Sequence, residues 1–170
     1  MDLAVIDSDV LIHLVKLEKL FLLKDQFLRI YITDIIYMET VTQGIALKEK
    51  DAFRIKEFFN EKLIIIKEIK KEKINEFINK YRIHEGEASI IALAIQKSIS
   101  YFLSNEIKVR ELAKSEGFKV VGSIGVLLRG YKMGKLSKKE IISVLEQIKD
   151  NKREFRINPK IIDEIFNRIK

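Results

Sequence analysis

A chain of 170 residues and 19.9 kDa is long enough for one well-buried core and has the usual size of a single domain. With 47% hydrophobic and 34% charged residues, one Pro and seven Gly, it is no disordered or low-complexity polymer, and the absence of Cys excludes disulfides, Fe–S clusters and thiolate zinc sites. A formal charge of +7 favours polyanionic partners, and with neither a signal-peptide start nor an apolar run of membrane-spanning length, a soluble, cytoplasmic protein is expected.

In chain order, residues 3–6, 27–32, 63–66, 99–103 and 118–121 are short runs rich in Ile, Val, Leu and Phe, the pattern of strands buried in a parallel sheet. Between them, residues 9–23, 34–42, 49–60, 72–81, 87–97 and 106–116 read as helices. Gly117 and Gly134 stand where helix caps are expected, and Ser137 with Glu140 three residues on reads as a capping box. Asn158-Pro159 opens a last helix with Pro at its first position. The alternation predicts an α/β fold, a three-layer α/β/α sandwich with a central parallel sheet of about five strands. Residues 1–135 form the main domain in this reading, and residues 136–170 a helical extension packed on the same domain.

Acids punctuate this pattern at one edge. Asp7 follows the first strand, Glu106 follows the fourth, and Glu87 opens a return helix. In a parallel sheet the strand ends and the helix starts share one edge, where ligands bind, so these carboxylates are expected to converge. Glu39 has Ile35 and Ile36 one turn before it and Glu87 has Ile90, Ile91 and Ala94 after it, so both are expected to look inward from an apolar stripe. Burying unpaired carboxylates costs several kcal/mol, roughly what forces a partner or a proton. Four together therefore point to a hard divalent ion, Mg²⁺ or Mn²⁺, which prefers carboxylate oxygens and water. Such an ion lowers the pKa of a bound water and polarises a phosphodiester.

Each acid also has a plainer reading. Asp7 can cap the following helix, Glu87 can complement a positive helix N-terminus, and Glu106 can pair with Arg110 at i+4. His13, among Leu11, Ile12, Leu14 and Val15, and His84 are read as packing and loop histidines, because no second His of a metalloprotease helix is present. Lys108, Arg110, Arg129 and Lys132 neighbour the acidic edge in sequence and are the candidates for contact with a polyanionic substrate.

The segments Ile6-Asp7-Ser8-Asp9-Val10-Leu11-Ile12, Ile36-Tyr37-Met38-Glu39, Gly86-Glu87-Ala88-Ser89 and Leu103-Ser104-Asn105-Glu106 resemble, in order and spacing, the four acidic motifs of PIN domains. The resemblance continues through Gly122-Ser123-Ile124-Gly125 and Phe155-Arg156-Ile157, which are similar to a branch of PIN-like nucleic-acid-binding proteins of archaea and bacteria. It implies a Mg²⁺- or Mn²⁺-dependent ribonuclease pocket in which Asp7, Glu39, Glu87 and Glu106 hold metal and are catalytic, with Ser8, Asp9, Ser104 and Asn105 supporting them. It also implies RNA as substrate, frequent homodimers and, for many members, a small antitoxin-like protein as partner. One departure is visible: the fourth motif more often carries Asp where this chain has Glu106, and a displacement of about 1 Å at a reacting centre can cost roughly 100-fold in rate. The alternative is a catalytically weak RNA- or protein-binding module of the same fold.

Overall fold

The computed structural model describes residues 2–61 and 63–169. Residues 1 and 170, the outer limits of the expected domain and extension, lie outside the described residues. Five strands, β1 (Asp2–Ile6), β2 (Phe27–Thr33), β3 (Ile64–Lys67), β4 (Tyr101–Leu103) and β5 (Lys119–Val121), form one sheet in the order β3-β2-β1-β4-β5. All neighbours are parallel. The chain builds outward from β1 to β3 on one side, then crosses back and builds β4 and β5 on the other. The topological switch therefore falls between β1 and β4, the position at which open parallel sheets form ligand clefts. Ala4, Val5 and Ile6 are wholly buried, as a central strand covered on both faces requires.

The strands coincide with the expected runs to within two residues, and the helices on both faces complete the three-layer α/β/α sandwich. One helix expected over residues 9–23 is instead broken into α1 (Ser8–Lys16) and α2 (Leu22–Gln26). Glu18 takes the left-handed conformation at φ 57°, and Lys19 N–H closes the turn onto the Leu14 carbonyl at 2.8 Å. The reason is packing. The break buries Leu22 and Leu23 completely, seats Leu22 against Gly130 and brings Gln26 Nε2 to the Val126 carbonyl at 2.8 Å.

The helix expected over residues 34–42 is also irregular. It begins as α3 (Asp34–Tyr37), widens into a π-helical segment (Met38–Gln43) and ends as α4 (Gly44–Ala46). Thr33 caps it through its side-chain oxygen, and Thr40 Oγ1 donates to the Ile36 carbonyl at 2.7 Å. After α5 (Lys50–Phe59), α6 (Lys71–Tyr81) and α7 (Glu85–Gln96), the second half adds α8 (Ile107–Ser115) and α9 (Ser123–Lys132).

The remaining residues form α10 (Lys138–Asp150), the short α11 (Lys152–Phe155) and α12 (Pro159–Ile169). Ser137 and Glu140 form the expected capping box. Ile141, Leu145, Phe155 and Ile162 from these helices belong to the same apolar core as the sheet. Phe155, 1% exposed, meets the His13 ring edge-on at 5.1 Å, and Lys16 bonds Glu154 at 2.6 Å. Phe155→Ala should therefore cost about 3–5 kcal/mol while urea unfolding stays a single transition. A separate early transition would show that residues 136–170 fold independently of the sheet.

Candidate metal and catalytic cleft

Asp7 is the N-terminal cap of α1, 6% exposed, one residue beyond the central strand. Its Oδ1 accepts the Ser8 N–H at 2.8 Å and its Oδ2 accepts the Ser104 hydroxyl at 3.0 Å. Ser104 reaches it because β1 and β4 are adjacent, with Asp7 N–H donating to the Leu103 carbonyl at 2.9 Å. Burial raises the Asp7 carboxyl above its ordinary pKa, Glu87's charge adds to the rise, and the Ser8 and Ser104 hydrogen bonds oppose it.

Around Asp7 lies a cavity of about 310 Å³ lined by Ser8, Asp9, Glu39, His84, Gly86, Glu87 and Glu106. All four expected acids thus face one cleft at the carboxyl edge of the sheet. Two do so differently from the expectation. Glu39 does not project from the apolar stripe into the interior: the π-helical segment displaces it from the regular spacing, and it stands exposed at the cleft mouth. Its carboxylate rests against Gly86, where an added Cβ would approach Oε1 to 2.9 Å. That partial burial raises its pKa, with Asp7, Glu85 and Glu87 adding. Glu87 is half-buried at the first turn of α7, and its Oε2 accepts the His84 N–H at 2.9 Å. It does the capping work of the plainer reading while facing the cleft.

Glu106 occupies the position before α8, makes no side-chain capping hydrogen bond there and is exposed. The i+4 pair with Arg110 is not made: Arg110 donates instead to the Ser104 carbonyl at 2.7 Å. Burial lowers the Arg110 pKa and Asp9's charge opposes the change. Asp9 is a fifth acid. Its Oδ2 accepts the Asn105 N–H at 3.0 Å, whereas Oδ1 is buried without a hydrogen-bond partner. Burial first, then the charge of Asp7, pushes its pKa up to about 7.

The four cations expected at the substrate do not act together. Arg110, Arg129 and Lys132 line a neighbouring groove of about 630 Å³ that starts at Asn105 and runs between β5, α9 and α12, where Arg156 and Arg168 join them. Arg129 lies toward the far edge of the sheet, its guanidinium over the rings of Phe27 and Tyr101 at 5.3 and 5.0 Å. Lys108 turns away to the Arg82 carbonyl at 2.5 Å. Two cleft-lining residues, His84 and Gly86, were not anticipated as site residues. The signal for Gly86 was its place beside Glu87 at a helix start, where a side chain would crowd an incoming carboxylate.

Among the described residues, no group of three or more His, Asp or Glu side chains is arranged to hold a metal ion. The acids surround the cleft without forming a closed ring, because Glu87 is held by the helix it caps and Glu39 by its seat on Gly86. The donor chemistry nevertheless suits a hard cation: every carboxylate is oxygen-only, and the orphaned Asp9 Oδ1 lacks a donor. Mg²⁺ commonly keeps several waters and takes only one or two protein carboxylates, which an open cleft permits.

An all-parallel sheet in this order, with carboxylates gathered at its switch point, defines an α/β/α domain with a ligand cleft at its carboxyl edge. A family model described as a PIN domain matches residues 3–170, and the chain belongs to that family. No curated protein matches the sequence.

Two outcomes check this geometry. Gly86→Ala should leave the fold as stable as wild type or up to about 1 kcal/mol more stable, since Ala is the better helix former. It should still weaken Mn²⁺ binding, read by thermal shift, because the new methyl group displaces the Glu39 carboxylate. The second outcome concerns pH. Asp9 binds its proton more tightly in the folded than in the unfolded protein, so stability falls as pH rises from the ordinary carboxylate range to about 7. Asp9→Asn, which keeps an oxygen for the Asn105 N–H, should therefore melt higher than wild type at pH 8, with the gain vanishing at pH 4.

Proposed function

We propose that this PIN domain is a Mg²⁺- or Mn²⁺-dependent ribonuclease whose cleft hydrolyses RNA phosphodiester bonds. The observation that carries the reading is the convergence of Asp7, Glu39, Glu87 and Glu106 on one cavity in a chain of net charge +7. PIN domains are generally nucleases, and the shared cleft of these four acids supports the same reading for this chain.

Asp7 would hold the ion at the floor of the cleft, since Ser8 and Ser104 fix both of its oxygens. Asp9 would turn its unpartnered Oδ1 to the same ion or to its water. Glu39, Glu87 and Glu106, around the mouth, would orient waters, and the raised pKa of Glu39 suits it to accept the proton of an attacking water. A bound Mg²⁺ or Mn²⁺ supplies Lewis-acid polarisation of the phosphate and a more acidic water. The RNA would leave the cleft past Asn105 and Arg110 into the basic groove, where Lys132, Arg156 and Arg168 meet its phosphates. Residues 1–135 would constitute the nuclease unit and residues 136–170 the extension that closes this groove. The same reading carries a cytoplasmic setting, with a second copy of the chain and a small antitoxin-like protein as partners.

A catalytically weak RNA- or protein-binding module is the second reading, favoured by the open spacing of the acids and by Glu106 in place of Asp. Incubation of mixed RNA with the purified protein, with and without Mn²⁺, separates the two. The nuclease should cleave only with metal, Mn²⁺ should raise its melting temperature by mass action, and Asp7→Asn should lose both. Since outer-shell changes alone cost about 10–100-fold, the loss of rate at Asp7 should exceed that range. Cleavage that survives EDTA and Asp7→Asn together would remove support for the metal site. Binding of RNA without cleavage under any metal would favour the weak module.

A further inference from the structure

Asn105, directly after Ser104, ties three elements together. Its backbone N–H donates to Asp9 Oδ2. Its side-chain oxygen accepts the Ser123 N–H at 2.9 Å, with the Ser123 hydroxyl at 3.2 Å. A backbone N–H can only donate, so the amide oxygen must face Ser123 and the amide nitrogen must face His13, whose Nδ1 lies 3.0 Å away. His13 Nδ1 is therefore an acceptor and the ring proton sits on Nε2. Burial pushes the His13 pKa down to about 4, which keeps the ring neutral above that pH. Gly122 completes the fit, because a Cβ there would lie 2.6 Å from Asn105 Oδ1. On its other side the imidazole is pinned edge-on by Phe155.

Shape-filling in a core asks only for an apolar group. Here a 7% exposed imidazole presents its one acceptor to the Asn105 amide, with the Ser123 hydroxyl also 3.3 Å from Nδ1, and Asn105 in turn holds Asp9 and precedes Glu106. We propose that His13 is a positioning residue of the acidic cleft, holding Asn105 so that Asp9 and Glu106 keep their places beside Asp7. The role rests on the metal-cleft reading above. It makes the C-terminal helices, through Phe155 and His13, a support for the cleft as well as a wall of the groove.

The test compares His13→Phe, which keeps an aromatic ring against Phe155 but has no acceptor, with His13→Asn, whose side-chain oxygen falls near the position of Nδ1. Three quantities are read: the side-chain amide NMR signals of Asn105, the half-saturating Mn²⁺ concentration by thermal shift, and kcat and KM on one RNA. In His13→Phe the Asn105 amide signals should move toward those of a solvent-exposed amide. Its half-saturating Mn²⁺ concentration should rise by about 10-fold, the low end for lost outer-shell partners, and kcat should fall with KM little changed. His13→Asn should recover most of each loss. If His13→Phe fails to fold, His13→Gln, whose oxygen falls near the far ring nitrogen, takes its place as the variant without the acceptor.

Wild-type amide signals and Mn²⁺ response in His13→Phe, or an Asn variant no better than the Phe variant, would overturn the proposal. A wild-type protein indifferent to Mn²⁺ would instead sink the metal-cleft reading, and the Asn105 amide signals would then decide the His13 contact by themselves.

Discussion

The carboxylate of Asp7 sits at the end of the innermost strand, where burial opposes its charge. The Ser8 backbone and hydroxyl and the Ser104 hydroxyl meet it directly, and they depend on the sheet: Ser8 because β1 hands over to α1 at that residue, Ser104 because β4 is the parallel neighbour of β1. The rest of the cleft follows from this arrangement. Placing β4 beside β1 also brings Asn105 against Asp9 and sets Glu106 at the start of α8. Burial of an acid in this setting works against its charged form, and a cation or further donors would favour it. A cluster of partly compensated carboxylates is thus built into the topology, and perturbed carboxylates of this kind are concentrated at functional sites.

A second layer holds the cleft open and shaped. Thr33, at the end of β2, exchanges a hydrogen bond with Ser89 at 2.8 Å, and Ser89 donates to the Gly86 carbonyl at 2.7 Å. This buried chain joins the helix that carries Glu39 to the helix that carries Glu87. The π-helical segment then delivers Glu39 to the bare surface of Gly86. Widened helical turns of this kind are frequent at functional sites, because they re-aim a side chain without breaking the helix. Opposite, the Asn105 hub joins α1, β4 and α9. Two polar networks thereby frame the acids from either side.

Charge is divided between two adjoining cavities. The acidic cleft draws its residues from the first turn of helices and the ends of β1 and β4, whereas the groove beyond Asn105 collects arginines from α8, α9 and the C-terminal helices over an aliphatic floor. Arg110 stands at the junction, bound to the Ser104 carbonyl and close to Asp9. A polyanion approaching the groove meets attraction, and meets repulsion where the acids begin unless a cation is bound there. The net charge of the chain is therefore less informative than its partition.

The α/β/α class and the five strands were legible in the chain itself, since runs of four to six residues rich in Ile, Val, Leu and Phe are too short for helices and alternate with longer amphipathic segments. The sequence also pointed to one edge for Asp7, Glu87 and Glu106, because strand ends and helix starts share an edge in such a sheet, whereas Glu39 reaches the cleft by a different route from the inward stripe its spacing suggested. What it left undecided depended on contacts distant in the chain. The break at Glu18 answers to the space for Leu22 and Leu23 against α9, and the outward stance of Glu39 answers to a π turn stabilised by its neighbours. His13 read as a core residue from its apolar flanks. Its acceptor role depends on Asn105, 92 residues later, which Ser123 turns toward it, and on the Ser123 hydroxyl 3.3 Å from the same nitrogen. Local periodicity records which face of an element is apolar, but the partner of a polar atom is set by the tertiary fold, since a hydrogen bond needs a donor within about 3 Å whatever its position in the chain.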